Sequence, residues 1–118
     1  MRELQIQVRK AGDVCVLDLT GELKLGQATI KLREKSKELV AAGERRFILN
    51  MENVPWLDSS GIGEVFASYK RARAEGGVVK LVLRGKSLSL FTFTELHRVF
   101  EIFQDLETAL GSFNSPPD

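Results

Sequence analysis

Along this chain the spacing of apolar residues switches between two and about 3.6, and each switch marks a predicted element. Leu4, Ile6 and Val8 alternate with Gln5, Gln7 and Arg9, the pattern of a half-buried strand. Ala11-Gly12-Asp13 supplies turn chemistry, and Val14 to Thr20 follows as a second strand, so the pair is expected to form an antiparallel hairpin. The run Gly21 to Gly26, GELKLG, reads as a loop. Leu25, Ala28, Leu32 and Leu39 then share one helical face, and Lys31, Arg33, Glu34, Lys35, Lys37 and Glu38 cover the other. Gly43 stands where a helix C-terminal cap prefers glycine.

A third strand is predicted from Arg46 to Met51, because Phe47-Ile48-Leu49 is apolar on both faces. From about Ser60 to Glu75 the apolar residues Ile62, Val65, Phe66 and Tyr69 fall at helical spacing, and Gly76-Gly77 closes the helix. Val78 to Leu83 is a fourth strand. A short helix begins near Ser87, with Leu88, Phe91 and Leu96 facing inward; Val99 to Phe103 is a fifth strand. Asp105 caps a final helix through Leu110, stopped at Gly111. Strands separated by helices run parallel through right-handed crossovers, which makes an α/β plan. One domain over residues 1–111 is expected, followed by a disordered tail over 112–118 that contains Asn114-Ser115-Pro116-Pro117.

Composition narrows the chemistry. The chain has 118 residues, 43% hydrophobic and 28% charged, with a net charge of +1, so no basic excess points to nucleic acid. No apolar run reaches the length of a membrane span, and MRELQIQVRK lacks the apolar core of a signal peptide. A cytoplasmic protein without direct membrane insertion is expected. Cys15 is the single cysteine and His97 the single histidine, so soft metal ligands do not cluster and no metal or cofactor is expected. Cys15, inside Val14-Cys15-Val16-Leu17, reads as a small hydrophobe. The residues Phe91, Phe93, Phe100 and Phe103 read as core packing, although an exposed patch of them could pair two copies; oligomeric state stays open.

Candidate chemistry concentrates at Leu57-Asp58-Ser59-Ser60-Gly61-Ile62-Gly63, where a strand ends and a helix begins. The first turn of a helix carries unpaired N–H groups and partial positive charge. Asp and Ser there either cap the helix, each worth roughly 1 kcal/mol, or handle an anion. No G-x-S-x-G elbow is present, which leaves little for a serine hydrolase built on Ser59 and His97. Gly61-Ile62-Gly63 lacks the Lys-Ser/Thr of a P-loop and the third glycine of a dinucleotide fingerprint. A phosphate on Ser59 would add about −1.5 to −2 charges at a helix end that tolerates them. A partner docked there would meet new bulk and charge beside Asp58, so the fold would survive while the interface broke.

With Leu19-Thr20-Gly21-Glu22-Leu23, Leu49-Asn50-Met51 and Gly76-Gly77, the Leu57 to Gly63 step resembles the STAS domain in its stand-alone form, the anti-sigma factor antagonists. The resemblance covers about residues 3 to 112. It implies a mixed sheet of four or five strands with helices largely on one side, and no catalysis by the domain. It implies that Ser59 is phosphorylated by an anti-sigma factor with serine kinase activity, that the unphosphorylated form binds this partner and frees a sigma factor, and that a serine phosphatase resets the switch. By the same resemblance Asp58 tunes docking, and Gly61, Ile62 and Gly63 let the partner approach; Ser60 is expected to cap the helix from the local preference for serine at that junction. Glu22 and Lys24 form the docking rim, with Lys24 standing where the family commonly has Asp. The alternatives are a STAS subunit of a lipid-transport or stress-signalling assembly without a switch, or an anion- or nucleotide-binding module.

Overall fold

The computed structural model describes residues 2–114. Its elements are β1 (Gln5–Ala11), β2 (Val14–Thr20), α1 (Gln27–Ala41), β3 (Arg46–Asn53), α2 (Ser59–Ala74), β4 (Val78–Val82), α3 (Gly85–Thr92), a 3-10 turn (Leu96–Arg98), β5 (Glu101–Phe103) and α4 (Leu106–Phe113). The five strands form one sheet in the order β1-β2-β3-β4-β5, with β1 antiparallel to β2 and the remaining neighbours parallel. Parallel strands laid down in one direction by right-handed crossovers place every crossover helix on the same face. Accordingly Leu32, Val65 and Phe91, from α1, α2 and α3, share a buried cluster with Leu17, Leu49 and Leu81 of the sheet. The opposite face carries Val14, Val16, Ile48 and Val82, covered by Ala109 and its neighbours on α4. The expected mixed sheet with helices largely on one side is the fold observed.

Differences from the sequence pattern have local causes. Gly26 sits at φ 117, which delays α1 to Gln27 and leaves Leu25 outside the helix and 73% exposed, not on its inner face. Ser36, on the inner side of α1, is buried because Ser68 and Arg71 of α2 hydrogen-bond to it. Phe91 and Phe100 pack edge to face at 5.6 Å, but Phe93 is 91% exposed and does not belong to the core. The last helix passes through Gly111 to Phe113, so residues 112 and 113 are helical; the remainder of the expected tail, 115–118, lies outside the described residues. Cys15 is fully buried, and burial pushes its thiol pKa up, which suits a packing residue.

Candidate functional site

The β3–α2 junction is assembled by two loops laced together. Leu23 N–H donates to the Trp56 carbonyl at 3.0 Å, and Asp58 N–H donates to the Leu23 carbonyl at 3.3 Å, so Leu23 and Leu57 form a one-residue parallel bridge beyond the strand ends. Both leucines are buried. The GELKLG loop, which sequence spacing leaves unanchored, is thereby fixed against the start of α2.

Asp58 is the keystone of this arrangement. It has extended backbone at the N-cap of α2, and its Oδ1 accepts from Gly61 N–H at 2.8 Å. Its Oδ2 accepts from Leu25 N–H at 3.1 Å, across 33 residues of sequence. One carboxylate therefore satisfies a helix-end donor and a donor of the GELKLG loop together. This corrects the role expected for Ser60: the cap is Asp58, and Ser59 and Ser60 are the first two residues inside the helix. The carboxylate wins because its two oxygens reach both loops, which one hydroxyl cannot do.

Ser59 is exposed, Ser60 is half-buried, and Gly63 is exposed with open space where a side chain would be. Gly61 and Ile62, expected to let a partner approach, are buried. A Cβ at Gly61 would lie 2.1 Å from the Leu23 carbonyl oxygen. The glycine is needed for the laced loops to close. Glu22 and Lys24 are both half-buried and pair with each other at 3.2 Å. The Lys24 ammonium is thus held by the neighbouring Glu22.

Two exposed apolar side chains join the site without having been foreseen. Leu25 projects next to the backbone amide that Asp58 holds, and Trp56, 38% exposed, lies two residues before Asp58 with Lys86 Nζ 5.0 Å from its ring centroid. Trp56 stood in the sequence beside the motif and its exposure could have been suspected. Lys86 arrives from α3, whose start is held to this loop by the Ser87 hydroxyl donating to the Val54 carbonyl, and no local spacing announces that contact. Behind the site, Glu64 is 6% exposed and accepts from Arg33 Nε and Arg71 Nη1, each at 3.2 Å. That buried carboxylate ties α1 to α2 and fixes the angle at which Ser59 is presented.

His97 Nδ1 is buried with no hydrogen-bond partner, so that nitrogen is not paired with Ser59. Among the described residues no group of three His, Cys, Asp or Glu is placed to hold a metal ion, and no helix is long and apolar enough to cross a membrane.

Comparison with known proteins adds the following. The family model for the STAS domain matches residues 5–109. An anti-sigma factor antagonist from Mycobacterium paratuberculosis superposes with a TM-score of 0.84 at 23% identity, over 96% of each chain. The anti-sigma factor antagonist SpoIIAA in its unphosphorylated form gives 0.74 at 22% identity, over 95% of this chain and 100% of that one. The phosphorylated form of SpoIIAA, a Bacillus cell fate determinant, gives 0.71 at 24% identity, over 92% and 99%. A sulfate transporter family protein from Wolinella succinogenes gives 0.70 at 16% identity, over 85% and 84%. At these identities the likeness is one of fold.

Proposed function

The chain belongs to the STAS domain family, and from that premise we propose that it is an anti-sigma factor antagonist whose binding is switched at Ser59. In this reading the unphosphorylated protein binds an anti-sigma factor that is also a serine kinase, and phosphorylation of Ser59 ends the complex. A separate serine phosphatase restores it. The observation that carries the reading is the division of labour at the start of α2: Asp58 does the capping, which leaves the exposed Ser59 hydroxyl with no structural duty that modification would destroy.

A phosphate on Ser59 would sit on the first residue of a helix, where the macrodipole favours negative charge. It would also stand beside the Asp58 carboxylate and among Leu25 and Trp56, the exposed apolar groups a partner would cover. Folding would gain slightly or be unchanged, while docking would lose complementarity. Support by analogy comes from SpoIIAA, whose phosphorylated and unphosphorylated forms both match this fold over more than nine-tenths of the chain. The docking face consists of Glu22, Lys24, Leu25, Trp56, Ser59 and Gly63, with Asp58 holding it in shape.

The test is capture of partners from the protein's own cell extract by wild type, Ser59→Ala and Ser59→Asp, with phosphate at Ser59 read by mass spectrometry. The expected result is one ATP-binding partner held by wild type and Ser59→Ala and lost by Ser59→Asp, with all three proteins melting within a degree or two of one another. Equal retention by all three would instead make this a constitutive subunit, the role suggested by the sulfate-transporter neighbour.

A further inference from the structure

β1 is the outer strand of the sheet, paired only with β2 among the described residues. Proteins that keep open edges apart shorten them, bulge them or place proline in them. β1 has no proline and no bulge, and its charges, Arg9 and Lys10, stand at the far end from Ile6: its seven residues, QIQVRKA, run in unbroken register from Gln5 opposite Thr20 to Ala11 opposite Val14. The two-residue turn at Gly12-Asp13 makes Ala11 and Val14 a hydrogen-bonded pair. By alternation Gln5, Gln7 and Arg9 then address β2, and Ile6, Val8 and Lys10 turn their N–H and C=O groups outward. Val8 is 38% exposed on this edge.

Beside the edge runs an open groove lined by Leu4, Gln5 and Ile6 and walled by Lys31, Glu34, Lys35 and Glu38 of α1. The wall reads Lys, Glu, Lys, Glu, a sequence of charges that becomes its own complement when reversed. We infer that a second copy of this chain occupies the edge, with β1 pairing antiparallel to the other copy's β1 about a two-fold axis at Ile6. Ile6 then faces Ile6, Val8 faces Leu4, and the two sheets become one. The same axis brings Lys31 opposite Glu38 and Glu34 opposite Lys35 across the two helices.

Strand and helix agree on where that axis lies. Lys31 Nζ donates to the Leu4 carbonyl at 2.9 Å, which sets Lys31 beside Leu4. As the crossover between parallel β2 and β3, α1 runs against β2 and hence in the direction of β1. At about 1.5 Å per helix residue and 3.3 Å per strand residue, the midpoint between Glu34 and Lys35 falls closest to Ile6. The register that stacks the apolar residues is therefore also the register that pairs the charges. Lys31 and Lys35 already have Glu3 and Glu38 as partners within one chain, so the exchanged pairs add specificity more than strength. Ser59 lies beyond the end of the strands, while Leu4, in the pairing register, also lines a hollow with Glu22, Lys24 and Leu25, so the pairing edge and the docking face adjoin there.

Sedimentation equilibrium of the intact protein, from low to high micromolar concentration, is the test. Wild type should pass from the 13.2 kDa of one chain to twice that mass. Glu34→Lys/Glu38→Lys and Lys31→Glu/Lys35→Glu should each stay at one chain at concentrations where wild type is paired. Mixed in equal amounts, the two variants should regain the doubled mass. Hydrogen exchange at the Ile6 and Val8 amides should slow as wild type is concentrated, while the β3 amides do not change. A wild type that stays at one chain at the highest concentration would overturn the proposal, as would a pair that survives both charge reversals.

Discussion

Two helices of this protein begin with the same device and use it differently. α2 and α4 each start from an aspartate in extended conformation whose Oδ1 accepts the backbone N–H three residues on, at 2.8 Å from Gly61 and 2.8 Å from Thr108. At α4 the second oxygen of Asp105 accepts from the Thr108 hydroxyl at 3.0 Å, so this carboxylate stays within its own turn, and the long-range contact there, Leu106 N–H to Glu52 Oε1 at 3.2 Å, does not involve it. At α2 the second oxygen of Asp58 reaches Leu25 N–H, 33 residues away in sequence. The α4 cap ends an element. The α2 cap joins two loops and leaves an exposed serine next to the joint. A site differs from a cap by its long-range partner, not by its local residues.

The comparison breaks most severely at Gly61. Its absent Cβ would sit 2.1 Å from the Leu23 carbonyl oxygen, a backbone atom that cannot move without opening the laced loops. Gly61→Ala should therefore cost about 3 kcal/mol, a fall of roughly 12 °C in Tm, with loss of partner binding. At Gly111 in α4 a Cβ meets nothing within 4 Å, and Gly111→Ala should raise stability by about 0.5 to 1 kcal/mol. Thermal melting of the two variants decides the matter, and equal shifts would mean that the α2 junction is no tighter than the α4 end.

Removing the caps themselves sharpens the contrast. Asp105→Ala should cost about 1 kcal/mol, the ordinary value of a cap. Asp58→Ala should cost about 2 kcal/mol, because Leu25 N–H loses its acceptor along with Gly61 N–H. Denaturant titration gives the two figures. Hydrogen exchange separates their causes: the Leu25 amide should speed up in Asp58→Ala and stay unchanged in Asp105→Ala.

That contrast also explains what could be read from the sequence. Element order, the hairpin, the parallel sheet and the Asp58-Ser59-Ser60 step all follow from periods and turn residues that act over a few positions, and the structure keeps them. Leu25 fits the helical period, but the conformation that Gly26 adopts starts the helix only at Gln27. Local preference allows serine the cap position at Ser60; the choice of Asp58 depends on Leu25 N–H, which no window around residue 60 contains. Gly61 looked permissive from sequence, and only the approach of Leu23 shows it to be obligatory. Glu64 is buried on α2 because Arg33 of α1 and Arg71 close over its carboxylate, a contact that no local spacing shows. Legibility stops where a contact spans about thirty residues.

The smallest effect lies in acid. The backbone N–H and hydroxyl of Thr108 hold the Asp105 carboxyl below the ordinary carboxylate value. For a group lowered in the folded state, the stabilisation is fully present above the unfolded value and is lost as pH falls through the folded one. Asp18 follows the same sign for a different reason: burial pushes its carboxyl up, but hydrogen bonds from Arg9 and Asn50 outweigh burial and leave it lowered. Melting temperature followed from neutral pH into the acid range should decline in wild type over the span between the ordinary carboxylate value and these lower ones. Asp105→Asn should remove a small part of that decline, since the group is exposed and solvent screens it. Asp18→Asn should remove a larger part while lowering stability at neutral pH, because Arg9 loses its charged partner. If Asp105→Asn flattened the curve more than Asp18→Asn, the exposed α4 cap would carry more of the acid sensitivity than the half-buried Asp18 with its Arg9 and Asn50 partners, and the ranking by burial would fail.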